Sequence, residues 1–486
     1  MTSVRIETIE LSKSDDIEPF SVYRNAIDML GRHHAFLAES VSGPELDCQQ
    51  SVVAIHRIAS ICFRSTSANL HAEPDAWLCI QQAIAAVPGL FSFNASGDIS
   101  FACTEDLWDF LGALLESTFN VSSESTEFHP GFIVRLGYDA AALNEKSAHA
   151  VSPEDPILIR LDLYQNFVVF RERGIQFHAC HFPGLKKPDI GSLRRLCEPA
   201  PPLPHLTPNA TEITFSSTRE DYLEQCHTAL EHIARGDIYQ VQLGHEVRVK
   251  CNIDPVSLYA SLREQNPAPY MFLHQCEDMT LVGASPESYV RVEGGCVSMR
   301  PIAGTLAKSL ALTEATLRSE LSDSIKENAE HVMLVDLCRN DIGKICEPNS
   351  LDVPSFMALE AYPSLYHLVS SVQGALKSEC NVVAVLRATF PAGTMVGAPK
   401  IRAMQIIEKL EGSPRGQYAG ALGLIGFDGS INMALCIRMV TQTDGIYRLR
   451  ASAGIVSDSN PEREWLETLA KMRVMHRCLT GEELLA

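Results

Sequence analysis

The length and the charge of the chain exclude several classes of protein. It has 486 residues, with 60 Asp and Glu against 40 Lys and Arg, which gives a formal net charge of −20. A negative field of this size repels the phosphates of nucleic acids and anionic membrane surfaces, so neither is expected as a partner. The mean hydropathy of +0.01 and the 46% hydrophobic content are typical of a globular chain rather than of a disordered one.

The cysteines and the first residues indicate where the chain works. The 15 cysteines are scattered, with no C-x-x-C pair and no Cys/His cluster at the spacing of a zinc site, which favours reduced thiols over a disulfide framework. The opening segment MTSVRIETIELSKSDD carries charges every few positions, and no apolar run reaches the length that spans a bilayer. We therefore expect a cytoplasmic protein that does not enter a membrane.

A proline-rich segment divides the chain. Five prolines fall between Pro199 and Pro208, and such a segment can be neither a helix nor a central strand. We predict an N-terminal region over residues 1–198, a connector over 199–216 and a second domain over 217–486.

Local patterns predict several elements on both sides of this connector. The N-terminal region contains a β-rich run and two helical patterns, at Ser51–Phe63, Pro74–Val87 and Glu105–Leu115. In the second domain, apolar residues at helical spacing predict a helix over Ser217–Arg235, and Gly236 follows at the position where helices end.

The strand that follows this helix presents two amides on one face. In IYQVQLGHEVRV, period-two alternation points Gln240 and Gln242 in the same direction. Further hairpins are indicated by Gly294-Gly295, Asp428-Gly429 and Asp444-Gly445 between β-rich runs. A mainly antiparallel meander interrupted by helices favours the α+β class over a Rossmann sheet.

Two predicted helices carry carboxylates at helical spacing. Glu327 and Glu330 lie three residues apart in IKENAEHVMLVDLCRND, and Glu464, Glu467 and Lys471 form a stripe on a helix that Asn460 and Pro461 open. If the two helices face each other, these carboxylates can hold Mg²⁺. A solvated acidic helix face explains either segment equally well when it is taken alone.

A second constellation suits an anionic ligand. Arg438 shares a strand face with small neighbours, and the turn Ser452-Ala453-Gly454 can offer backbone N–H groups to a carboxylate. A surface ion pair and an ordinary bend are the alternatives. Lys400 is followed by Ile401, so the glycine-rich loop before it does not match a phosphate-binding P-loop. Spacing alone leaves the role of His367 open.

Nine segments of the second domain, read in order, resemble the motifs of the chorismate-utilising enzymes. They are GDIYQVQL (236–243), SPE (285–287), RPIAGT (300–305), AEHVMLVDLCRNDIG (329–343), HLVSSVQG (367–374), FPAGTMVGAPKIRAM (390–404), RGQYAG (415–420), CIR (436–438) and AGIVSDSNPEREWLET (453–468). The resemblance implies a four-layer α/β/β/α sandwich of two large, mainly antiparallel sheets flanked by helices. It also implies a cleft that binds chorismate with Mg²⁺.

The resemblance assigns roles to individual residues. It implies Glu330 and Glu467 as the Mg²⁺ ligands, with Glu327 and Glu464 behind them. It implies His367 as the acid/base residue, with the Thr394 hydroxyl in the same cleft. The implied chorismate contacts are Gly304, Thr305, Tyr418, Arg438, Ser452, Ala453, Gly454 and Lys471.

Within the family, the residues around the nucleophile favour ammonia over water. Members that add water carry a general-base Lys where this chain has Gln240, and an amide cannot serve as that base. Ala303 stands where some aminodeoxychorismate synthases have a nucleophilic Lys, and NPAPYMF (266–272) resembles the anthranilate synthases more. The implied activity is that of a lyase: amination of chorismate at C2, then loss of pyruvate to give anthranilate. The alternatives are an aminodeoxychorismate synthase, an aminodeoxyisochorismate synthase that keeps the pyruvyl group, and a non-catalytic binding subunit.

The resemblance also implies a regulator and a partner. AFLAES (35–40) resembles the tryptophan feedback motif, so that Ser40 would form a pocket with Pro269, Tyr270 and Met271, although Ala38 replaces a usual Leu. No segment resembles a glutaminase, so ammonia would come from a separate glutamine amidotransferase subunit in a hetero-oligomer, or from solution. Ser452 in place of a usual Gly and Met439 in place of a usual Thr are further departures from the family pattern.

Overall fold

The structure is a computed structural model that consists of helices and a network of paired strands. It describes residues 2–11, 17–87, 92–122, 128–145, 156–187, 191, 193–203, 208, 210–307, 325–362 and 365–484. The α-helices are α1 (Pro19–Leu30), α2 (Pro74–Ala85), α3 (Thr104–Gly112), α4 (Leu193–Leu196), α5 (Arg219–Ala234), α6 (Pro255–Gln265), α7 (Ile325–Gly343), α8 (Val382–Thr389), α9 (Lys400–Leu410) and α10 (Pro461–Thr480). Within these ranges, no helix is both long and apolar enough to cross a membrane.

The strands fall on both sides of the connector. Those before residue 216 are β1 (Thr2–Leu11), β2 (Ala35–Glu39), β3 (Ser51–Phe63), β4 (Ser67–Ala72), β5 (Asp98–Ser100), β6 (Phe119–Ser122), β7 (Gly131–Leu136), β8 (Ile159–Arg171), β9 (Gly174–His181) and β10 (Ala210–Phe215). Those after it are β11 (Gln240–Cys251), β12 (Tyr270–Gln275), β13 (Thr280–Ser285), β14 (Ser288–Glu293), β15 (Cys296–Met299), β16 (Ile302–Ala307), β17 (Asp352–Ala361), β18 (Leu365–Ala375), β19 (Gly397–Ala398), β20 (Ala421–Gly426), β21 (Ile431–Leu435), β22 (Met439–Thr443) and β23 (Ile446–Ile455).

The strand pairing confirms the α+β prediction. Among the strands that the structure describes, neighbours are antiparallel apart from the parallel pair β1 and β6. The predicted hairpin turns join β14 to β15, β20 to β21 and β22 to β23. At Asp444-Gly445 both residues have positive φ angles, 52° and 76°, as a tight hairpin turn requires. Helices pack on the outer faces of this antiparallel framework, as α10 does on β23.

The strands of the N-terminal region pair directly with strands of the second domain. Strand β2 lies antiparallel to β12, with Ala38 opposite Phe272, and β7 lies antiparallel to β20, with Arg135 opposite Leu422. The connector therefore separates two stretches of sequence, but backbone hydrogen bonds join their strands into one network. Whether residues 1–198 and 217–486 act as separate domains stays a prediction.

The helix ends follow the signals read from the sequence. Asn460 caps α10 by accepting a hydrogen bond from the backbone N–H of Arg463 at 3.2 Å, and Pro461 occupies the first turn. Gly481 ends the helix in the left-handed region, with a φ of 77°. Helix α5 begins after Thr218, whose side chain and that of Asp221 form a capping box. These ends place the carboxylates of α10 on the side of β23.

An ion cluster with buried arginines and an exposed Glu277 joins the two stretches of sequence away from these helices. We use this name for Arg57, Arg135, Arg160, Asp162, Glu277 and Asp278. Arg160 donates two hydrogen bonds from Nε to Asp162, at 3.0 and 2.9 Å, and its two terminal nitrogens reach Glu277 at 3.0 Å and Asp278 at 3.1 Å. Arg57 also pairs with Glu277, and Arg135 pairs with Asp278. Every charged group in the cluster therefore has an oppositely charged partner.

Candidate active site

The floor of the candidate site is the pairing of β11 with β23. Gln242 lies opposite Gly454 in this register, and Gly244 lies opposite Ser452. A Cβ atom at Gly454 would lie 2.7 Å from Nε2 of Gln240 and 3.0 Å from Nε2 of Gln242. The two amides therefore share one face, as the alternation predicted, and only glycine leaves room for both at this point.

Helix α7 brings a carboxylate to the same floor. Gln240 donates a hydrogen bond from Nε2 to Oε1 of Glu330 at 2.7 Å. That oxygen also lies 3.2 Å from the position that a Cβ of Gly454 would take. Gln240 is 1% exposed, and its amide oxygen has no hydrogen-bond partner among the described residues. A buried acceptor without a partner is costly, so a polar ligand group is expected to occupy the space next to it.

Helix α10 brings the second group of charges. The Lys471 ammonium lies 2.6 Å from Oε1 of Glu467 and donates to the backbone oxygen of Ser452 at 2.8 Å. Glu464, which lies one turn before Glu467 on the same helix, is buried. Glu330 and the α10 carboxylates thus approach β23 from two different helices.

The donor set of these helices suits a hard divalent cation. Mg²⁺ binds one or two protein carboxylates and fills its other positions with water and substrate oxygens, which Glu330 and Glu467 can satisfy. Glu330 accepts a hydrogen bond from Gln240, and Glu467 forms an ion pair with Lys471. The side chain of Glu327 lies outside the described residues. Among described side chains, a compact trio of ligand type occurs elsewhere, at Asp162, His274 and Cys276 beside the arginines of the ion cluster.

Arg438 has the properties of an anion-binding residue. It is not glycine, yet its φ is 48°, a strained conformation that often occurs at functional sites. Burial lowers the pKa of its guanidinium, while the nearby Tyr418 and Glu467 raise it. Within the described part of the chain, no hydrogen bond or ion pair of its guanidinium is found. A guanidinium in this state is ready to bind a carboxylate.

His367 lies on β18, next to the turn that contains Gly304. Its Nδ1 is 3.2 Å from the backbone oxygen of Gly304, which accepts a hydrogen bond from the Nδ1–H tautomer. Burial lowers the pKa of His367 to about 4, and the charges of Arg438 and Lys471 lower it as well. The imidazole is therefore neutral at pH 7, and in this tautomer Nε2 is the basic nitrogen.

Glu287 is a functional candidate to which the sequence motifs assigned no role. Burial raises the pKa of its carboxyl to about 8, against the opposing effects of Thr394 and Lys471. The effect of Thr394 comes from its hydroxyl, which lies beside this carboxyl. The carboxyl is therefore protonated at neutral pH and can act as an acid. The motif SPE marks this residue, but only its three-dimensional surroundings give it an unusual pKa.

The remaining predicted substrate contacts border the same strands. Tyr418 is buried, and its hydroxyl lies 2.7 Å from Oγ of Ser452. Ala453 is buried on β23, opposite Leu243. Gly304 has a φ of 62° in the bulge of β16 that faces His367. The backbone of Thr305 pairs with His367, whereas its side chain lies outside the described residues.

The four predicted tryptophan contacts lie together, apart from these residues. Ser40, Pro269, Tyr270 and Met271 line one cavity of about 70 Å³ between β2 and β12, together with Ala38. A cavity of about 150 Å³ is needed to hold benzene, so an indole ring enters only if side chains move. The Tyr270 hydroxyl donates to Asp47 at 2.8 Å, and Arg300 donates to the same oxygen at 3.2 Å. The geometry supports a pocket, while its ligand stays a prediction.

Comparisons with known proteins agree with this arrangement. The family described as chorismate binding enzyme matches residues 70–477. A 2-amino-4-deoxychorismate synthase of Streptomyces globisporus is 38% identical over 99% of this chain and 98% of its own length. Anthranilate synthase component 1 of Acinetobacter calcoaceticus is 32% identical over 95% of this chain and 92% of its own.

A solved structure gives the same result for the fold. Anthranilate synthase component I from Streptococcus pneumoniae TIGR4 superposes with a TM-score of 0.71 at 28% identity, covering 88% of this chain and 92% of that one. The family match spans most of the chain and includes the strands and helices that carry Gln240, Glu330, Arg438 and Lys471. The protein is thus a member of the chorismate-binding enzyme family.

Proposed function

We propose that the protein adds ammonia at C2 of chorismate with loss of the C4 hydroxyl, and then eliminates pyruvate to give anthranilate. The observation that carries this proposal is the hydrogen bond of Gln240, an amide rather than a base, to Glu330, in a site where the buried acid Glu287 lies near Lys471. Family membership supports chorismate as the substrate. The residues of the cleft support the nature of the nucleophile.

Glu287 supplies the proton for the first step. When the nitrogen attacks C2, the two ring double bonds shift and the C4–O bond breaks, so the departing hydroxyl needs a proton to leave as water. A carboxyl with a pKa raised to about 8 by burial holds that proton at neutral pH. The Thr394 hydroxyl lies beside it and orients the acid or the departing oxygen.

Gln240 favours ammonia as the nucleophile. Water must lose a proton to attack, and an amide cannot remove it, whereas ammonia attacks through its own lone pair. The buried amide oxygen of Gln240 has no hydrogen-bond partner among the described residues, and it can accept one from an N–H of ammonia. Ammonia would come from a glutamine amidotransferase subunit, as in the two-component enzymes that the resemblance names, or from solution.

His367 suits the second step. Elimination removes the proton at C2 and breaks the C3–O bond to leave an aromatic ring, and the departing enolpyruvate takes up a proton at its methylene carbon to become pyruvate. A neutral imidazole whose Nδ1–H is held by the oxygen of Gly304 presents Nε2 as the base for that proton. Its low pKa makes His367 a poor acid, so the acid role that the motifs implied passes to Glu287.

The charged residues hold the substrate. The Arg438 guanidinium and the Lys471 ammonium provide the positive charge that the carboxylates of chorismate need in this acidic chain. Glu330 and Glu467 would hold Mg²⁺, which would neutralise and orient a substrate carboxylate. The amide of Gln240 stabilises the carboxylate of Glu330, and the ammonium of Lys471 stabilises that of Glu467.

One observation favours a second candidate function. A relative that matches 99% of the chain is named for 2-amino-4-deoxychorismate, a product with the amino group at C2, no hydroxyl at C4 and the enolpyruvyl group retained. The chain would then stop after amination and release this intermediate, which is also called aminodeoxyisochorismate.

Product analysis of the purified chain tests both candidates. The assay contains chorismate, Mg²⁺ and ammonium at pH 8, with glutamine in place of ammonium as the control. Anthranilate supports the proposal, and the C2-aminated intermediate supports the second candidate. Formation of 4-amino-4-deoxychorismate, or no consumption of chorismate, contradicts both. Turnover with glutamine in the absence of a partner would contradict the need for a separate amidotransferase.

A further inference from the structure

A short chain of hydrogen bonds runs along the floor of the cleft. The Tyr418 hydroxyl lies 2.7 Å from Oγ of Ser452, and Oγ of Ser452 donates to the amide oxygen of Gln242 at 3.3 Å. Tyr418 and Ser452 are both buried. The backbone of Ser452 is also held, because its carbonyl oxygen accepts a hydrogen bond from Lys471. These contacts fix the serine side chain in one orientation.

The chemistry of the three groups sets the direction of this chain. An amide oxygen only accepts hydrogen bonds, so the single hydroxyl hydrogen of Ser452 goes to Gln242. The contact between Ser452 and Tyr418 then requires the phenolic hydrogen of Tyr418, since Ser452 has no second hydrogen to give. Tyr418 is therefore committed as a donor to Ser452 and presents only lone pairs to the cleft.

We propose that Ser452 is a specificity-determining positioning residue that weakens the hold of the cleft on the substrate carboxylate. The inference rests on the proposed function in placing a carboxylate of chorismate near Tyr418 and Arg438. A phenol that faces a carboxylate with lone pairs repels it, whereas a phenol that donates a hydrogen bond binds it. The carboxylate near Tyr418 then depends on the charges of Arg438 and Lys471, and the aminated intermediate leaves more readily before pyruvate is lost.

Ser452→Ala tests this directly, because it removes the acceptor that takes the hydrogen of Tyr418. Titration calorimetry with chorismate and Mg²⁺ should show binding about tenfold tighter than in the wild type, the size expected for one hydrogen bond to a charged group. Ser457→Ala, at an exposed serine of the same segment outside the cleft, is the control and should leave the affinity unchanged. Unchanged or weaker binding in Ser452→Ala would overturn the proposal.

A second substitution separates this effect from a merely structural one. Tyr418→Phe should change the affinity little in the wild type, where the phenolic hydrogen is already used. In the Ser452→Ala background, the same change should weaken binding about tenfold, because the freed hydroxyl is lost again. Equal effects in the two backgrounds would overturn the proposal.

The product assay relates the binding result to the reaction. With ammonium present, Ser452→Ala should release a smaller fraction of C2-aminated intermediate relative to anthranilate than the wild type does. An increased fraction would contradict the proposal. Calorimetry requires no turnover, so a wild type that binds chorismate without aminating it overturns the proposed function and leaves the binding comparison decisive for Ser452.

Discussion

The cleft and the ion cluster concentrate buried charge in opposite ways. In the ion cluster, Asp162, Glu277 and Asp278 are matched by guanidinium groups at hydrogen-bond distance. In the cleft, the amide oxygen of Gln240 is buried without a hydrogen-bond partner among the described residues. The carboxylates of the cluster therefore need no ligand, although Nη1 of Arg57 and Nη1 of Arg135 are buried without a hydrogen bond among the described residues, whereas the buried oxygen of Gln240 requires a donor. The comparison teaches that a buried acceptor is a better sign of a binding group when it lacks a partner than when it is merely buried.

The strongest test of the cleft is removal of its acid. Glu287→Gln keeps the shape of the side chain but removes the proton that the C4 hydroxyl needs, so the amination rate should fall by about 10²- to 10⁴-fold. The measurement is chorismate consumption with Mg²⁺ and ammonium. Glu293→Gln, on the exposed end of β14, is the matched control and should retain the wild-type rate. A wild-type rate in Glu287→Gln would remove Glu287 from the reaction.

Removal of the base should divide the reaction into its two steps. His367→Ala should slow pyruvate elimination by about 10²- to 10⁴-fold while amination continues, so that the C2-aminated intermediate accumulates. Quenched-reaction chromatography of the variant and the wild type measures both species. If the variant makes anthranilate at the wild-type rate without this build-up, His367 has a structural role only.

The ion cluster should respond in stability rather than in activity. Asp162→Asn leaves Arg160 buried without its main partner and should lower the free energy of unfolding by about 3–5 kcal/mol, read from urea titration. The Michaelis constant and the rate per folded molecule should not change. Glu220→Gln, a solvent-exposed partner of Arg219, should leave the unfolding midpoint unchanged. An activity defect in folded Asp162→Asn would contradict the distinction between the two regions.

The same cluster predicts how stability depends on pH. The nearby arginines hold the pKa of Asp162 below its ordinary value, and they lower that of Glu277 to about 2. Such carboxylates stabilise the folded state above their ordinary pKa values, and this contribution is lost as the pH falls through the lowered ones. We expect the urea midpoint to decrease as the pH falls from about 4 towards 2. A midpoint that stays constant over this range would show that the pairs contribute nothing.

The cleft predicts a pH dependence of the reaction rate rather than of stability. Glu287 must be protonated and His367 neutral, so the rate of anthranilate formation should be level between their pKa values of about 4 and about 8. It should fall about tenfold per pH unit above the upper value and below the lower one. Ammonium must be varied at each pH, so that the concentration of free ammonia stays constant. A rate that continues to rise well above pH 8 would exclude Glu287 as the acid.

The smallest expected effect lies in the cavity between β2 and β12. Ala38→Leu restores apolar contacts that the resemblance associates with tryptophan, worth at most about 2 kcal/mol of binding free energy when fully buried. Calorimetry with L-tryptophan should detect weak binding to the wild type and tighter binding to the variant. The absence of binding to the wild type would show that this cavity has another ligand or none.

The sequence predicted the frame of the cleft better than its electrostatics. Period-two alternation placed Gln240 and Gln242 on one face, and the capping signals at Asn460 and Pro461 began α10 where the structure has it. These features depend on local backbone geometry, which neighbouring residues determine. The role of Glu287 could not be predicted in this way, because the burial that raises its pKa depends on strands and helices distant in sequence.

The proline-rich connector illustrates the same limit. Its composition predicted a connector over residues 199–216, but the structure places β10 (Ala210–Phe215) within those bounds, paired with β11. The composition also gave no information on the pairing of β2 with β12 or of β7 with β20. These ladders join residues that are about 200 to 300 positions apart, and no local signal encodes such contacts. The predicted helix Ser217–Arg235, in contrast, needed only local information and is observed as α5.

These two ladders also determine how the polypeptide can be assembled. During synthesis β2 and β7 emerge long before their partners, so their hydrogen-bonding edges stay open until the second half of the chain arrives. A gene divided at the connector would therefore yield two fragments with unpaired strand edges, and each fragment would aggregate when produced alone. When the two fragments are produced together, they should associate and restore the native enzyme, because each fragment contains the strands that pair with the open edges of the other.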